Sequence, residues 1–286
     1  MHISLKIAFI GGGNMASALI GGLLQTKIAT AATADAETEL RPELIHVVDA
    51  HAPTLSRVQS RWGVQTSLVI DDQIRNCDVI VFAVKPQNMR EVIDQCAPFI
   101  EKQLLISVAA GVRAETIASR LNAYRKIVRA MPNTPALIGL GMSGLFALDA
   151  VSEDEKNLAQ MILAAVGETL WVDQESLIDA VTAVSGSGPA YVFYFIEAMQ
   201  AAACELGLSP AQAQSLALAT FNGAAQLAKQ SEESIASLRE RVTSKGGTTY
   251  AALTSMEQSA VKPAIVLAIK AAALRGQELG DAFAKD

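Results

Sequence analysis

The sequence contains few cysteine, histidine and aromatic residues. Of its 286 residues, three are cysteine, three are histidine and 5% are aromatic. The cysteines Cys77, Cys96 and Cys204 lie far apart and form no CxxC pair, so neither a disulfide framework nor a zinc site is predicted. All three histidines fall within the first 51 residues. The rest of the chain therefore has no imidazole for acid–base chemistry or metal binding.

Charge and long apolar runs are also scarce. The chain has 23 basic and 29 acidic residues, a formal net charge of -6, and no basic patch that would indicate nucleic-acid binding. No apolar run approaches the roughly 20 residues of a membrane-spanning helix. The N-terminus leads straight into a glycine cluster without the cleavage pattern of a signal peptide. We therefore expect a cytoplasmic protein that binds neither nucleic acid nor a membrane.

In the first half of the chain, short apolar runs alternate with helical segments. The strand candidates are residues 5–10, 44–48, 64–67, 78–84, 104–108 and 127–129. Strands separated by helices predict βαβ units, and hence a parallel sheet with right-handed crossovers. Residues 29–42 are rich in Ala, Thr and Glu and have no apolar face, so we expect them to form a surface insertion.

From about residue 174 the strand-like runs disappear. The predicted helices are residues 190–206, 210–229, 231–241, 248–257 and 262–279. We predict an α/β Rossmann domain, doubly wound with a mostly parallel sheet, over residues 1–173, and an all-α dimerisation domain over residues 174–286. Helices this rich in Ala and Leu favour packing against a second copy, so we expect a homodimer.

The first predicted strand runs into a glycine loop, Ile10-Gly11-Gly12-Gly13-Asn14-Met15-Ala16. In the pattern G-x-G-x-x-A, Gly11 permits a tight turn, Gly13 lets a pyrophosphate approach the backbone, and Ala16 lets the helix pack closely on the strand. The helix that follows offers free N–H groups to phosphates. A glycine-rich turn without a ligand is the alternative, but a strand before the loop and a helix after it favour a dinucleotide site.

An acidic residue, Asp49, ends the second predicted strand. In dinucleotide-binding folds such a residue bonds the adenosine ribose. Asp49 follows Gly13 by 36 positions, because of the inserted segment. A ribose contact from Asp49 favours NADH and repels a 2′-phosphate, although His51 and Arg57 nearby could offset this. The alternative is that Asp49 caps the helix near Pro53.

Two more strand ends should lie at the carboxyl edge of the sheet, where ligands bind. Ala83-Val84-Lys85-Pro86 follows the clearest strand, and Pro86 stops it. Lys85 could equally be an ordinary solvated lysine. The next strand ends in Ser107-Val108-Ala109-Ala110-Gly111. These small side chains leave room for a flat ring such as nicotinamide, and they also suit plain strand–helix packing.

Two loops rich in Gly, Ser and Thr each lead into a helix of the second half. One is Ser185-Gly186-Ser187-Gly188-Pro189-Ala190, and the other is Thr243-Ser244-Lys245-Gly246-Gly247-Thr248-Thr249. Helix capping explains the hydroxyls of Ser187, Thr248 and Thr249 equally well. Free N–H groups at a helix N-terminus also suit a small carboxylate, so the loops are candidates for substrate binding.

On these motifs the chain resembles the pyrroline-5-carboxylate reductase family over nearly its full length. The resemblance rests on FIGGGNMA (9–16), AVKP (83–86), AAGV (109–112), RAMPNTP (129–135), SGSGPAY (185–191) and VTSKGGTT (242–249). The last two motifs are the specific ones, because related nicotinamide enzymes share only the glycine loop.

This resemblance implies the last step of proline biosynthesis, the reduction of the cyclic imine 1-pyrroline-5-carboxylate to L-proline with NADPH or NADH. It also implies a helical domain that interlocks with its dimer partner, and an active site between the nucleotide domain of one subunit and helices of the dimer. Dimers of the family often assemble into decamers. The choice between NADH and NADPH stays open, because some members have Ser where Asp49 stands.

The resemblance assigns further roles, residue by residue. Together with Asp49, the residues expected along the cofactor are Ile10, Gly11, Gly12, Gly13, Asn14, Met15, Ala83, Val84, Lys85, Pro86, Val108, Ala109 and Ala110. The residues expected at the substrate are Glu175, Ser244, Gly247, Thr248 and Thr249. We expect the Thr249 hydroxyl to hydrogen-bond the imine nitrogen. The chain departs from the family at Lys245, where Pro is frequent, and at Arg241, where some members have Asn.

Two other functions share parts of this pattern. A β-hydroxyacid dehydrogenase also joins a Rossmann domain to a helical domain, but it needs a basic residue, typically lysine, in the second domain. Lys262 and Lys270 are the candidates, and neither lies in a glycine-rich loop. A protein that senses nicotinamide cofactors without turnover is the other alternative, and the hydroxyl-rich loop at 243–249 argues against it.

Overall fold

The structure, a computed structural model, describes residues 5–25, 27–29 and 37–285. The described residues form two compact units: one runs up to Ser187 and resumes at Ala272, and the other is Gly188–Ala271. Residues 30–36 of the predicted insertion at 29–42 lie outside the described residues. The predicted domain boundary between residues 173 and 174 stays a prediction, because compactness within one chain does not test which residues form a dimerisation domain.

The first unit is built on a sheet of eight strands. In chain order the strands of the described residues are β1 (Ile7–Ile10), β2 (Lys27–Ala29), β3 (Glu37–Glu39), β4 (Ile45–Val48), β5 (Gln65–Ser67), β6 (Val79–Phe82), β7 (Leu104–Ser107), β8 (Ile127–Met131), β9 (Gly141–Ala147) and β10 (Gly167–Trp171). Strands β2 and β3 form a separate antiparallel pair. The other eight make the main sheet.

The strand order in this sheet is β10-β9-β8-β7-β6-β1-β4-β5. All neighbouring strands pair in parallel except β8 with β9. From β1 the chain builds outward through β4 and β5, then returns to the other side of β1 and continues through β6, β7 and β8. This confirms the predicted doubly wound Rossmann fold. In such sheets ligands bind outside the carboxyl ends of the strands where the winding reverses, here between β1 and β6.

The central strands are buried on both faces, which explains why they stand out as continuous apolar runs. Every residue of β1, β4, β6 and β7 is buried. Successive side chains enter two separate cores: Phe9 and Val81 pack on one face, and Ile80 and Phe82 on the other. The sheet is therefore a rigid base for the loops at its carboxyl edge.

Helices cover the sheet and make up the second unit. The helices of the first unit are α1 (Asn14–Gln25), α2 (Ala52–Trp62), α3 (Met89–Cys96), α4 (Ala114–Arg120), α5 (Glu153–Ala164) and α6 (Leu177–Val181). The second unit contains α7 (Gly188–Glu205), α8 (Pro210–Gln230), α9 (Ile235–Arg241) and α10 (Thr248–Gln258). A final helix, α11 (Val261–Lys285), begins in the second unit and ends in the first. The predicted helical character of the C-terminal region is confirmed.

Helix starts follow the local capping chemistry. Ser209 caps α8 in a reciprocal capping box with Gln212, at the start that the sequence predicted. The predicted helix at 231–241 is wrong at its beginning: α9 starts only at Ile235, since the Ser234 hydroxyl caps it by accepting a hydrogen bond from the Ser237 N–H. No helix in the described part of the chain is long and apolar enough to cross a membrane.

Candidate active site

The glycine loop ties together the carboxyl ends of three strands. Gly11 has φ +103°, and a Cβ there would lie 2.7 Å from the carbonyl oxygen of Ala83. The Gly11 N–H donates to the Val48 carbonyl at 2.7 Å, and the Ala83 N–H donates to the Ile10 carbonyl at 2.8 Å. Only glycine fits this close approach without strain, so the tight-turn role predicted for Gly11 is physically required.

Gly13 has a different environment. A Cβ at Gly13 would have no heavy atom within 4 Å, and the residue lines a cavity of about 860 Å³. Helix α1 begins at the next residue, and Ala16 in its first turn is completely buried. The loop is thus open to the cavity at the position where a dinucleotide-binding loop admits a pyrophosphate, and the residues present fit that group.

This cavity lies at the point where the winding of the sheet reverses, and half of the predicted cofactor residues line it. They are Ile10, Gly11, Gly13, Asp49, Ala83, Val84 and Lys85. Pro86 and Ala110 line a neighbouring cavity of about 530 Å³ at the ends of β6 and β7. Gly12, Asn14, Met15, Val108 and Ala109 are not among the residues that line these two cavities.

Asp49 is bonded to the backbone on both sides of its carboxylate. Its Oδ2 accepts a hydrogen bond from the Gly12 N–H at 2.8 Å, and its Oδ1 accepts one from the His51 N–H at 2.9 Å. His51 is the residue that precedes α2, and its ring lies 3.0 Å from the Thr54 hydroxyl. Asp49 therefore belongs to the turn that leads into α2, but the capping alternative is wrong, because His51 is the N-cap residue and no side chain caps the helix. The contact of Asp49 with a ribose stays a prediction.

Glu175 belongs to an ion-pair network in the first unit. Its Oε1 accepts hydrogen bonds from the Ala114 N–H at 2.6 Å and from the Arg129 guanidinium at 3.1 Å. The same guanidinium donates to Asp179 at 3.3 Å. Only 3% of the Arg129 side chain is exposed. Glu175 thus joins β8 to the start of α4, and its predicted contact with the substrate stays a prediction.

The remaining predicted substrate residues lie in the second unit, on the loop before α10 and in the first turn of that helix. Gly246 has φ +75°, and the Gly247 N–H donates to the Ser244 carbonyl at 3.0 Å. Gly247 is the residue before the helix, and no side chain caps it. The capping alternative for Thr248 and Thr249 is therefore wrong: the structure brings both hydroxyls to a helix start whose first N–H groups have no acceptor within the helix.

The motifs at 129–135 and 185–191 meet in the first unit through Asn133, for which the sequence predicted no role. The Asn133 amide donates to the Ser185 hydroxyl at 3.1 Å and accepts a hydrogen bond from the Met142 N–H at 2.9 Å. Ser185 lies in a π-helical turn over Thr182–Gly186. The presence of both motifs in one chain was the available signal, but their contact spans 52 positions and no local pattern reports it.

Comparison with known proteins gives the family. A family model described as "NADP oxidoreductase coenzyme F420-dependent" matches residues 6–111, and one described as "Pyrroline-5-carboxylate reductase dimerisation" matches residues 175–279. With the doubly wound sheet and the open glycine loop, the first match defines the class: a Rossmann-type oxidoreductase that uses a nicotinamide dinucleotide.

The curated relatives narrow this class. A pyrroline-5-carboxylate reductase of Pseudomonas aeruginosa is 41% identical over 277 residues, which cover 96% of this chain and 97% of that protein. A relative of the same name from Pasteurella multocida is 39% identical over 97% of this chain and 98% of its own length. The chain belongs to the pyrroline-5-carboxylate reductase family.

Solved structures agree with this assignment. A pyrroline-5-carboxylate reductase from Coxiella burnetii superposes with a TM-score of 0.84 at 40% identity, covering 96% of this chain and 98% of that one. The Plasmodium falciparum pyrroline carboxylate reductase, solved with NADP bound, has a TM-score of 0.83 at 28% identity and the same coverage. The predicted family resemblance is confirmed, which decides against the β-hydroxyacid dehydrogenase alternative.

Proposed function

We propose that this chain reduces the cyclic imine 1-pyrroline-5-carboxylate to L-proline with NADPH or NADH, the last step of proline biosynthesis. The observation that carries the proposal is membership of the family at about two-fifths identity over almost the whole chain. The aligned part of the chain includes both regions that the reaction needs. These are a dinucleotide cavity in the first unit and a hydroxyl-rich helix start in the second.

The first unit binds the dinucleotide. The loop at Gly11–Gly13 and the first turn of α1 hold the pyrophosphate, because Gly13 leaves the space that a Cβ would fill. The ends of β6 and β7, at 83–86 and 108–110, are proposed to flank the nicotinamide end. When bound, the cofactor supplies the hydride that reduces the C=N bond.

The second unit binds the substrate. The carboxylate of a small imine acid fits the Ser244 hydroxyl and the free N–H groups at the start of α10. The Thr249 hydroxyl hydrogen-bonds the imine nitrogen. A threonine hydroxyl is a poor acid, so its role is to orient the nitrogen, and a free pyrroline takes its proton from water. Holding the two reactants in line contributes most to the rate.

The described contacts make Glu175 a weaker candidate than the loop at 243–249. Its Oε1 already accepts two hydrogen bonds inside the first unit. We nevertheless propose that Glu175 also contacts the substrate.

The family model over residues 175–279 describes a dimerisation region, so the chain forms a homo-oligomer. We propose that dimers assemble further, into a decamer, in the cytoplasm. Large exposed apolar side chains on helices of the second unit support self-association, among them Phe193 at 60%, Tyr194 at 71% and Leu267 at 66% exposure. The mass of the purified protein, measured by light scattering during size-exclusion chromatography, tests the oligomer size.

The experiment that tests the reaction is a direct assay. Purified full-length protein is mixed with pyrroline-5-carboxylate and either NADPH or NADH, and both loss of the reduced cofactor and formation of proline are followed. We expect proline in an amount equal to the cofactor consumed. Absence of proline, together with oxidation of a β-hydroxyacid by NAD⁺ or NADP⁺, would replace the proposal with a dehydrogenase function.

A further inference from the structure

The carboxylate of Asp49 joins two loops at the mouth of the dinucleotide cavity. The loop after β1 contributes the Gly12 N–H, and the loop after β4 contributes the His51 N–H; each donates to a different oxygen of Asp49, at 2.8 and 2.9 Å. We propose that Asp49 is a positioning residue that fixes the glycine loop. This inference rests on the proposed dinucleotide-binding function.

The backbone of Asp49 is itself held in place. Its N–H donates to the Ser67 carbonyl at 3.1 Å, at the end of β5, and the preceding carbonyl, that of Val48, accepts from the Gly11 N–H at 2.7 Å. The carboxylate therefore stands on a fixed strand end and reaches across to the neighbouring loop. A charged acceptor gives the backbone amides stronger hydrogen bonds than a neutral one.

The space around Gly12 depends on this arrangement. A Cβ at Gly12 would lie 2.9 Å from Cγ2 of Thr54, 3.3 Å from Cγ1 of Val47 and 3.6 Å from Oδ2 of Asp49. The peptide before Gly13 is thus enclosed by the end of β4 and the first turn of α2. Loss of the carboxylate would release the amide that sets the direction of the chain immediately before the open position at Gly13.

Two roles of Asp49 predict different changes in cofactor affinity. A carboxylate that acts mainly on the ribose 2′-hydroxyl discriminates between the cofactors, so its removal weakens NADH and favours NADPH. A carboxylate that holds the loop supports the pyrophosphate site, which both cofactors share. Its removal then weakens both by the same factor, and the ratio of their dissociation constants does not change.

The experiment compares wild-type protein with Asp49→Ala and Asp49→Asn. The dissociation constants of NADPH and NADH are measured by equilibrium titration, and hydrogen exchange of the Gly12 amide is measured without cofactor. For Asp49→Ala we expect a loss of about tenfold in both affinities, which corresponds to ~1.4 kcal/mol, with faster exchange at Gly12. Asp49→Asn keeps one acceptor oxygen. Its cofactor affinities should lie between those of the wild-type protein and those of Asp49→Ala.

The matched control is Glu155→Gln. Glu155 is another carboxylate of the first unit that accepts a backbone hydrogen bond, from the Ser152 N–H at 2.9 Å, and it does not line the cavity. This variant should leave both dissociation constants unchanged. A selective loss of NADH binding in the Asp49 variants, or unchanged exchange at Gly12, would overturn the inference. Failure of the wild-type protein to bind either cofactor would refute the proposed function instead, and the exchange measurement would still test the contact.

Discussion

The guanidinium of Arg129 and the carboxylate of Glu175 form an ion pair at 3.1 Å, in which the arginine side chain is only 3% exposed and the glutamate side chain 16%. Asp179 pairs with the same guanidinium at 3.3 Å. Two carboxylates from the segment around α6 therefore face one cation on β8, close to the start of α4.

Arg129→Met should strongly destabilise the protein. The substitution leaves Glu175 and Asp179 without the charge that compensates their burial, and breaking such a pair costs about 3–5 kcal/mol. The midpoint of thermal unfolding, measured at one fixed protein concentration, should fall by several degrees. An unchanged midpoint would show that the network contributes little to stability.

Glu175→Gln separates a structural role from substrate binding. The structural role predicts a lower unfolding midpoint with nearly unchanged KM for pyrroline-5-carboxylate, because loss of the charge weakens the hydrogen bonds from Ala114 and Arg129. A role at the substrate predicts the opposite: a raised KM and little change in the midpoint. Because Glu175 is proposed as a substrate contact, we expect KM to rise, together with a loss of about 1–3 kcal/mol in the free energy of unfolding. An unchanged KM would remove Glu175 from the substrate site.

Gly13→Val should impair cofactor binding, whereas Gly11→Val should impair stability. Nothing lies within 4 Å of a Cβ at Gly13, so this variant should fold normally and lose dinucleotide affinity by at least about a hundredfold, because its side chain occupies the pyrophosphate space. At Gly11 a Cβ would meet the Ala83 carbonyl, so that variant should have a lower unfolding midpoint. Equilibrium titration and thermal unfolding of both variants check this pair. Tight cofactor binding by Gly13→Val would refute the placement of the pyrophosphate.

Thr249→Ala should lower turnover without changing the fold. The residue is partly exposed at the first turn of α10 and is not the residue that caps the helix. Loss of one orienting hydrogen bond corresponds to about a tenfold lower kcat. Thr249→Ser keeps the hydroxyl and should restore most of the rate, which makes it the matched control. Equal kinetics for the Ala variant and the wild type would remove Thr249 from the mechanism.

His46 should make stability depend on pH. The side chain is 6% exposed on β4, and neither ring nitrogen has a hydrogen-bond partner among the described residues. Burial lowers the pKa of His46 below its ordinary value of 6.5, although Asp71 acts in the opposite direction. The unfolded chain therefore binds a proton more readily than the folded one. The contribution of neutral His46 to stability is fully present above pH 6.5, and it is lost as the pH falls through the pKa of His46 in the folded state.

A variant isolates the contribution of this histidine. His46→Leu removes the titrating group from the buried face. We expect the drop in thermal midpoint between pH about 7.5 and pH about 5.5 to be smaller in the variant than in the wild type. Equal pH dependence in both proteins would show that other groups cause the acid destabilisation.

The sequence predicts much of the first unit because its central strands have the same environment on both faces. Strands such as β6 and β7 appear as uninterrupted apolar runs bounded by small or turn-forming residues. The sequence does not predict β9 and β10, because Gly144 interrupts β9, and β10 is a short, partly exposed strand that begins at Gly167. At Gly144 of β9 a Cβ would lie 2.6 Å from the Val181 side chain, and at Gly167 of β10 it would lie 2.0 Å from the Gly141 carbonyl oxygen. Close packing requires these glycines, and they hide the strand pattern.

Local motifs predict the site better than long-range contacts do. The glycine loop was predictable because all its functional positions lie within one turn of chain. The bond between Asp49 and Gly12 spans 37 positions and follows from the pairing of β1 with β4, which no sequence window contains. The pairing of Glu175 with Arg129 spans 46 positions and depends in the same way on the folded sheet.

Helix α11 limits how the chain can be divided into fragments that fold on their own. Its C-terminal end belongs to the first unit, where the Phe283 carbonyl accepts a hydrogen bond from Arg90 at 2.7 Å and the Asp281 carboxylate pairs with Arg113. A recombinant fragment that stops at Ser187 would lack the end of α11 and its contacts with Arg90 and Arg113. A single cut therefore cannot yield two self-sufficient halves, and any truncated version meant to bind nucleotides should carry the last helical turns as a fused or co-expressed peptide.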